Sequence, residues 1–459
     1  MPDGIIPASF RDPSGFLYVR EGVLYRQVNE GYRDDYDLLK KSGLYDALAG
    51  VKKLVAHQEA AAELAHSAGA YKVLRPSAVP FVSYPYEWCF SQLKDAALLT
   101  LDVQRTALAH GMSLKDASAY NVQFVEGRPV FIDTLSFERY REGQPWVAYR
   151  QFCQHFLAPL ALASYRDVRL AQITKVHMDG VPLNLASTLL PFSSRLRVSL
   201  LMHLHLHAGA QKRYANRAVN NHRGSVSRAA MLGLVDSLAG AVERLRWEPR
   251  GTEWSDYYHD TNYSPAALED KKRVVAAFLA EIGPRTVWDL GSNTGVFSRL
   301  ASDRGILTVS LDADAAAVEK NYRTCAERKE THLLPLVQDL SNPSGGLGWG
   351  NAERMSLESR GPADAALALA LVHHLAIGNN LPLDQIAERL RRLCRHLLIE
   401  FVPKTDSQVQ RLLRNREDVF SSYTVECFEE EFRRRFCIHQ CEKIADSERV
   451  LYRMEVMRV

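Results

Sequence analysis

The chain of 459 residues carries 57 Lys and Arg against 54 Asp and Glu, with 46% hydrophobic and 24% charged residues; these ordinary globular values exclude a disordered or fibrous chain, and the length calls for two or three domains. A net charge of +3 excludes a chain dedicated to tracking nucleic-acid phosphates, and no apolar run reaches the ~20 residues that a membrane-spanning helix needs. Seven scattered cysteines read as reduced thiols, and the N-terminus MPDGIIPASFRDPSG has no basic-then-apolar leader, so the expectation is a cytoplasmic protein with no nucleic-acid partner and no membrane span.

In chain order, SGFLYVREGVLYRQV reads as a β-hairpin turning at Glu21-Gly22. Helical patterns then alternate with short strands at Tyr71–Leu74 and Pro129–Ile132. The segment SLKDASAYNVQF places Asp116 and Asn121 five residues apart, and PVFID places Asp133 at a strand end twelve residues later. That spacing resembles the catalytic loop and metal-binding aspartate of protein and small-molecule kinases. The resemblance implies Asp116 as acceptor of a hydroxyl proton, Asn121 and Asp133 as holders of Mg²⁺, and YPYEW at 84–88 as the link between two lobes. The chain departs from the pattern elsewhere: Gly15 and Gly22 form no glycine-rich phosphate loop, and Lys72 with Glu63 are only stand-ins for the usual lysine and glutamate. Two readings stay open, a phosphoryl-transfer site and an acceptor-binding domain whose Asp and Asn residues cap turns.

His203, His205 and His207 alternate in LLMHLHLHAG. The segment reads as a helix, where that spacing points the side chains apart, so no metal site is assigned. The junction from Gly251 to Pro284 opens with the aromatic segment WSDYYHDTNYS; a helical pattern follows in which Val274, Val275, Phe278, Leu279 and Ile282 share a face. Beyond it, the strand candidates TVWDL, ILTVSLD, HLLPLVQ, AALALAL and HLLIEFV are separated by helical patterns, as in parallel βαβ units. RFCIHQC and RVLYRMEV suit an antiparallel hairpin at the sheet edge.

The first of these strands ends in Asp289, followed by a turn with Gly291 and Gly295; the second ends in Asp312. Glycines there let a backbone approach a ligand without a Cβ clash, and a carboxylate after the second strand suits the two hydroxyls of a ribose. An NAD site needs glycines where Asn293 and Val296 stand. The acid-x-Gly-x-x-x-Gly form instead resembles class I S-adenosylmethionine-dependent methyltransferases, from which it departs at Asn293, usually a glycine. The stretches SYPYEW, SLKDASAYNVQF, PVFIDTLSFERY and EFVPKTDSQVQRLL are similar to bacterial methyltransferases grouped with host-specific nodulation proteins.

The resemblance implies an α/β fold, a Rossmann-like seven-stranded methyltransferase sheet, preceded by an α+β domain with kinase-like features. It divides the chain into residues 1–245 for acceptor binding, 246–285 as linker and lid helix, and 286–459 as the methyltransferase domain. It also implies that Gly291 and Gly295 cradle the methionine end of S-adenosylmethionine, that Asp289 orients its amino-acid portion, that Asp312 holds the ribose and Asp339 the adenine edge, and that Asn293 is a further cofactor-binding residue. His373, His374 and Glu400 are the candidates for a general base. Trp254, Tyr257, Tyr258 and Tyr263 are candidates for a lid whose rings meet the sulfonium. The expected partner is a small-molecule or glycan acceptor, with a glycolipid also in view. A bifunctional kinase and methyltransferase, and a non-catalytic binding protein with a vestigial methyltransferase fold, are the alternatives; the oligomeric state is not readable.

Overall fold

Backbone that reaches positive φ sets the turns of the first half of the chain. After the short strand β1 (Gly4–Ile5), strands β2 (Gly15–Arg20) and β3 (Val23–Asn29) are joined by Glu21 at φ 53° and Gly22 at φ 72°, with Arg20 opposite Val23. Two positive φ values in a two-residue loop match the twist of the flanking strands, so the hairpin closes where the sequence predicts. This computed structural model describes residues 3–206, 226–249, 263–414 and 417–457. It divides into two compact units, Met1–Glu248 with Gly346–Arg354, and Pro249–Gly345 with Met355–Val459.

In the first unit, β4 (His57–Ala60) and β5 (Ala70–Pro76) complete an antiparallel sheet of order β1-β2-β3-β5-β4. Val28, Tyr32, Tyr36, Leu74 and Leu135 pack together beneath it. The segment Tyr84–Trp88 forms a buried turn leading into the helix Phe90–Ala109. Beyond that helix, β6 (Met112–Leu114) pairs antiparallel with β9 (Phe137–Arg139), and β7 (Val122–Val125) with β8 (Arg128–Phe131).

Among the described residues, the first helix of the second unit is Pro265–Ile282. Ser264 caps it by accepting a hydrogen bond from the Ala267 N–H at 3.1 Å, and Gly283 at φ 56° ends it. Its buried face, with Val274, Val275, Phe278 and Leu279, packs on Val287, Ala365, Leu367 and Leu398 of the sheet. The strands are β10 (Thr286–Leu290), β11 (Leu307–Asp312), β12 (Leu333–Val337), β13 (Ala363–Ala368), β14 (Cys394–Phe401), β15 (Phe436–Lys443) and β16 (Val450–Val456), in the order β12-β11-β10-β13-β14-β16-β15. β10 to β14 are mutually parallel, while β16 runs against β14 and β15. This is the seven-stranded Rossmann-like methyltransferase sheet. The order reverses between β10 and β13, and the crevice outside the carboxyl ends of those strands is where such sheets take ligands.

One boundary differs from the sequence reading. The strand AALALAL stops at Ala368, because Ala370 adopts φ 51°, a left-handed backbone that cannot continue a strand. His373 and His374 therefore begin a separate helical turn instead of closing the strand. The helix after the glycine turn begins at Ser298, three residues later than Gly295, and is only five residues long.

Candidate functional site

A cavity of about 470 Å³ opens at the switch point of the sheet. Its floor is the turn after β10. Gly291 sits at φ 76°, and a Cβ there would lie 3.2 Å from Leu371. The N–H groups of Gly291 and Ser292 both donate to the carbonyl of Leu311, at 2.8 and 3.1 Å, which pins the turn to the end of β11. Asn293 adopts φ 51°. Asparagine tolerates left-handed backbone better than other residues with a Cβ, which accounts for its standing where the methyltransferase pattern that the turn resembles usually has glycine. Gly295, at φ 78°, does not line the cavity; a Cβ there would meet Asn321 at 2.5 to 2.8 Å. Its glycine is demanded by packing under the turn, where Ser292, Ser298 and Asn321 converge on the Ser310 hydroxyl.

Two carboxylates sit at strand ends around this turn. Asp312 accepts the N–H of Asn293 at 2.7 Å on one oxygen and the N–H of Asp314 at 2.8 Å on the other. Burial pushes its carboxyl up to about 6 despite these donors. Asp289 accepts the Ser298 hydroxyl at 2.6 Å, and burial likewise lifts it to about 6 against the pull of Ser298 and Lys271. Asp314 also lines the cavity, and its Oδ2 is buried with no hydrogen-bond partner. Asp339 stands exposed at the rim, its Oδ1 accepting the Ser341 N–H and hydroxyl at 2.8 and 2.7 Å. Of the sequence-predicted residues, Asp289, Gly291, Asn293, Asp312, Asp339 and His374 therefore share one cavity.

His373 and Glu400 do not line it. His373 is 1% exposed with Nδ1 unpartnered, and burial holds its imidazole well below the usual range. His374, its ring centroid 4.1 Å from that of His373, does reach the cavity; burial, with Arg449 nearby, lowers it to about 4, so it is neutral and a weak base near pH 7. Glu400 is fully buried, with Lys271 Nζ at 2.6 Å and Arg449 Nη1 at 3.5 Å. Burial raises its carboxyl, but the two cations outweigh that and hold it below its ordinary value. A carboxylate neutralised in this way anchors the core under the site and offers little basicity to an acceptor.

Trp254, Tyr257 and Tyr258 lie outside the described residues. Tyr263 lines the cavity, but its hydroxyl donates to Glu400 and its ring receives Lys271 Nζ at 4.8 Å and the Arg449 guanidinium at 4.4 Å from its centroid. The tyrosine thus already serves two of the protein's own cations. Sequence reasoning missed Lys271, which lines the cavity and is 2% exposed. It also missed Gln338, whose buried side chain accepts from Ser344 at 3.1 Å beside Asp339. A lone lysine on an apolar helix face, paired with residues more than a hundred positions away, leaves no motif to find.

In the first unit Asp116, Asn121 and Asp133 also converge. Asp133 accepts from Arg26 and the Ser136 hydroxyl, with the Leu135 N–H at 3.2 Å, and Asn121 donates to the same Ser136 at 3.2 Å. Burial raises Asp133, yet Arg26 and these donors bring it below its ordinary value. Burial and the charge of Asp133 raise Asp116. The cation facing Asp133 is thus Arg26 on β3. Lys72 instead pairs with Glu59 at 2.7 Å on the neighbouring strand, and not with Glu63. His203 bonds Tyr149 and Ser237, and His205 bonds Ser187 and Ser194, all at 2.8 to 2.9 Å; His207 lies outside the described residues.

No protein-family model matches the chain. Over 460 residues it is 33% identical to the nodulation protein NoeA of Rhizobium meliloti (strain 1021), covering 98% of this chain and 96% of that protein. Among solved structures it is similar to WbdD, described elsewhere as a bifunctional kinase-methyltransferase, at 16% identity and a TM-score of 0.32 over 48% of this chain and 46% of that one. It is also similar to the magnesium protoporphyrin IX methyltransferase ChlM of Synechocystis PCC 6803 with bound SAH, at 17% identity and a TM-score of 0.31 over 44% of this chain and 92% of that one.

Proposed function

Because the chain belongs to the family of the nodulation protein NoeA, and its second unit has the methyltransferase sheet, we propose that it transfers a methyl group from S-adenosylmethionine to a glycan or glycolipid acceptor. The observation that carries the reading is the cavity at the β10/β13 switch point, where a positive-φ glycine turn faces Asp289 and Asp312. The residues fit the cofactor by charge and space. Asp289 and Lys271 offer one negative and one positive group to an amino-acid end. Asp312, whose oxygens each already accept one N–H, keeps lone pairs for two ribose hydroxyls. Asp339 and Leu340 stand at the rim where a base edge would lie.

The cofactor supplies an electrophilic methyl on a sulfonium. The chain's task is to hold that end rigidly and in line with the acceptor, and positioning of this kind is worth ~7–11 kcal/mol of barrier. Neutral His374 orients or accepts from an acceptor hydroxyl; strong general-base catalysis is not its role, given its low basicity. The test is transfer of labelled methyl from S-adenosylmethionine into glycan and glycolipid fractions by the full chain. Label retained in the cofactor with every fraction overturns the reading.

A second reading, phosphoryl transfer by the first unit, is favoured by the convergence of Asp116, Asn121 and Asp133. Against it, Arg26 already neutralises Asp133. ATP turnover by the wild type, lost in Asp133→Asn, would establish it; no turnover leaves Asp133 as the residue that holds the turn after β8.

A further inference from the structure

Exposed large apolar side chains cluster in one short stretch of the first unit. Phe192, Leu196 and Val198 are 70 to 72% exposed, and Met202 and Leu206 are 53 and 59% exposed. Within the helical turn Leu201–Leu206, His203, Leu204 and His205 face inward, the two histidines each held by two hydroxyls, while Met202 and Leu206 face outward. The turn therefore exposes large apolar side chains on the face that a soluble surface helix keeps polar. A contiguous apolar patch on a folded domain marks a contact surface.

The charge within the patch identifies the contact. From Gly180 to Leu206 the sequence holds two basic residues, Arg195 and Arg197, and no Asp or Glu. Arg195 and Arg197 lie within the apolar stretch, are exposed, and pair with no carboxylate among the described residues. Beside them, Arg197, Arg244 and Arg246 line an open cavity of about 390 Å³ with Tyr165, Ser199 and Glu243. We propose that this face docks onto an anionic lipid bilayer surface, its Phe192, Leu196, Val198, Met202 and Leu206 side chains entering the headgroup boundary and its arginines taking lipid phosphates. Amphipathic segments with large apolar side chains on one side and unpaired Arg or Lys beside them bind such interfaces without spanning them. A second copy of the chain is disfavoured, because pairing two such faces opposes like charges. A nucleic acid would want stacking rings, and the patch offers one aromatic ring among aliphatic side chains. The proposal does not depend on what the second unit transfers.

The test is flotation of the full chain with phosphatidylcholine vesicles, with and without phosphatidylglycerol. The protein is expected to float only with the anionic vesicles and to be released by high salt. Arg195→Gln with Arg197→Gln should weaken partitioning about 25-fold, from roughly fivefold per lost charge. Phe192→Ser, Leu196→Ser and Met202→Ser together should abolish flotation at low salt, with an unchanged thermal unfolding transition, since all three side chains are exposed. Failure to float with anionic vesicles, equal flotation of the variants, or a triple variant that instead dissolves a dimer seen by sedimentation would overturn the proposal.

Discussion

Replacing Asp312 by alanine separates a ligand-binding role from a purely structural one. The carboxylate holds two backbone N–H groups, of Asn293 and Asp314, at 2.7 and 2.8 Å, and faces the cavity. Alanine leaves both N–H groups without an acceptor, a cost of ~1–3 kcal/mol in folding stability for each that water does not reach. Binding loses a separate amount. Hydrogen bonds from ribose hydroxyls to a charged acceptor contribute ~1.5–3 kcal/mol, so the dissociation constant for S-adenosylmethionine should rise roughly tenfold to 150-fold. Titration calorimetry on protein confirmed as folded by circular dichroism reads this directly. The same titration with a 2′,3′-dideoxy analogue of the cofactor supplies the cycle: if Asp312 acts through the hydroxyls, the variant and the wild type bind the analogue with similar affinity. An unchanged dissociation constant for S-adenosylmethionine in folded Asp312→Ala would remove this residue from the site.

Gly291→Val should abolish cofactor binding while strand and helix content stay near wild type, because φ 76° is strained for valine and its Cβ meets Leu371 beside the ligand space; retained tight binding, by calorimetry, would put the ligand elsewhere. Lys271→Met strips a buried cation from Glu400 and should destabilise the protein by ~3–5 kcal/mol in urea unfolding, with much of that recovered when Glu400→Leu is added; a variant as stable as wild type would refute the pairing. Cofactor affinity should fall as pH drops through 6: Asp289 and Asp312, both lifted to about 6, are ionised at pH 7.5 and each only about one-tenth ionised at pH 5. If the ligand needs both carboxylates ionised, the loss approaches about 100-fold, and a flat profile between pH 5 and 7.5 would contradict it.

Much of the second unit was legible because its chemistry is local. Each parallel strand is a short apolar run bounded by helical periodicity, and the Asp289 to Gly295 turn and Asp312 lie at strand ends that the pattern itself marks. The reading slipped where backbone conformation decided the outcome, as at Ala370, whose positive φ ended β13 early. It also slipped where contacts span the chain. Lys271, Glu400 and Arg449 come from a helix, a strand end and the loop just before another strand, and none of the three has a pattern of its own. In the first unit, strands of two and three residues such as β1 and β6 carry too few positions for an alternation to register. There the search for a lysine led to Lys72, whereas the structure brings Arg26 to Asp133 across 107 residues.

The central claim, that the cavity at the β10/β13 switch point holds S-adenosylmethionine, is tested most directly by titrating the full chain with that cofactor alongside Gly291→Val. The account predicts saturable one-to-one binding by the wild type and none by the folded variant. No binding by the wild type, or equal binding by both proteins, would contradict it.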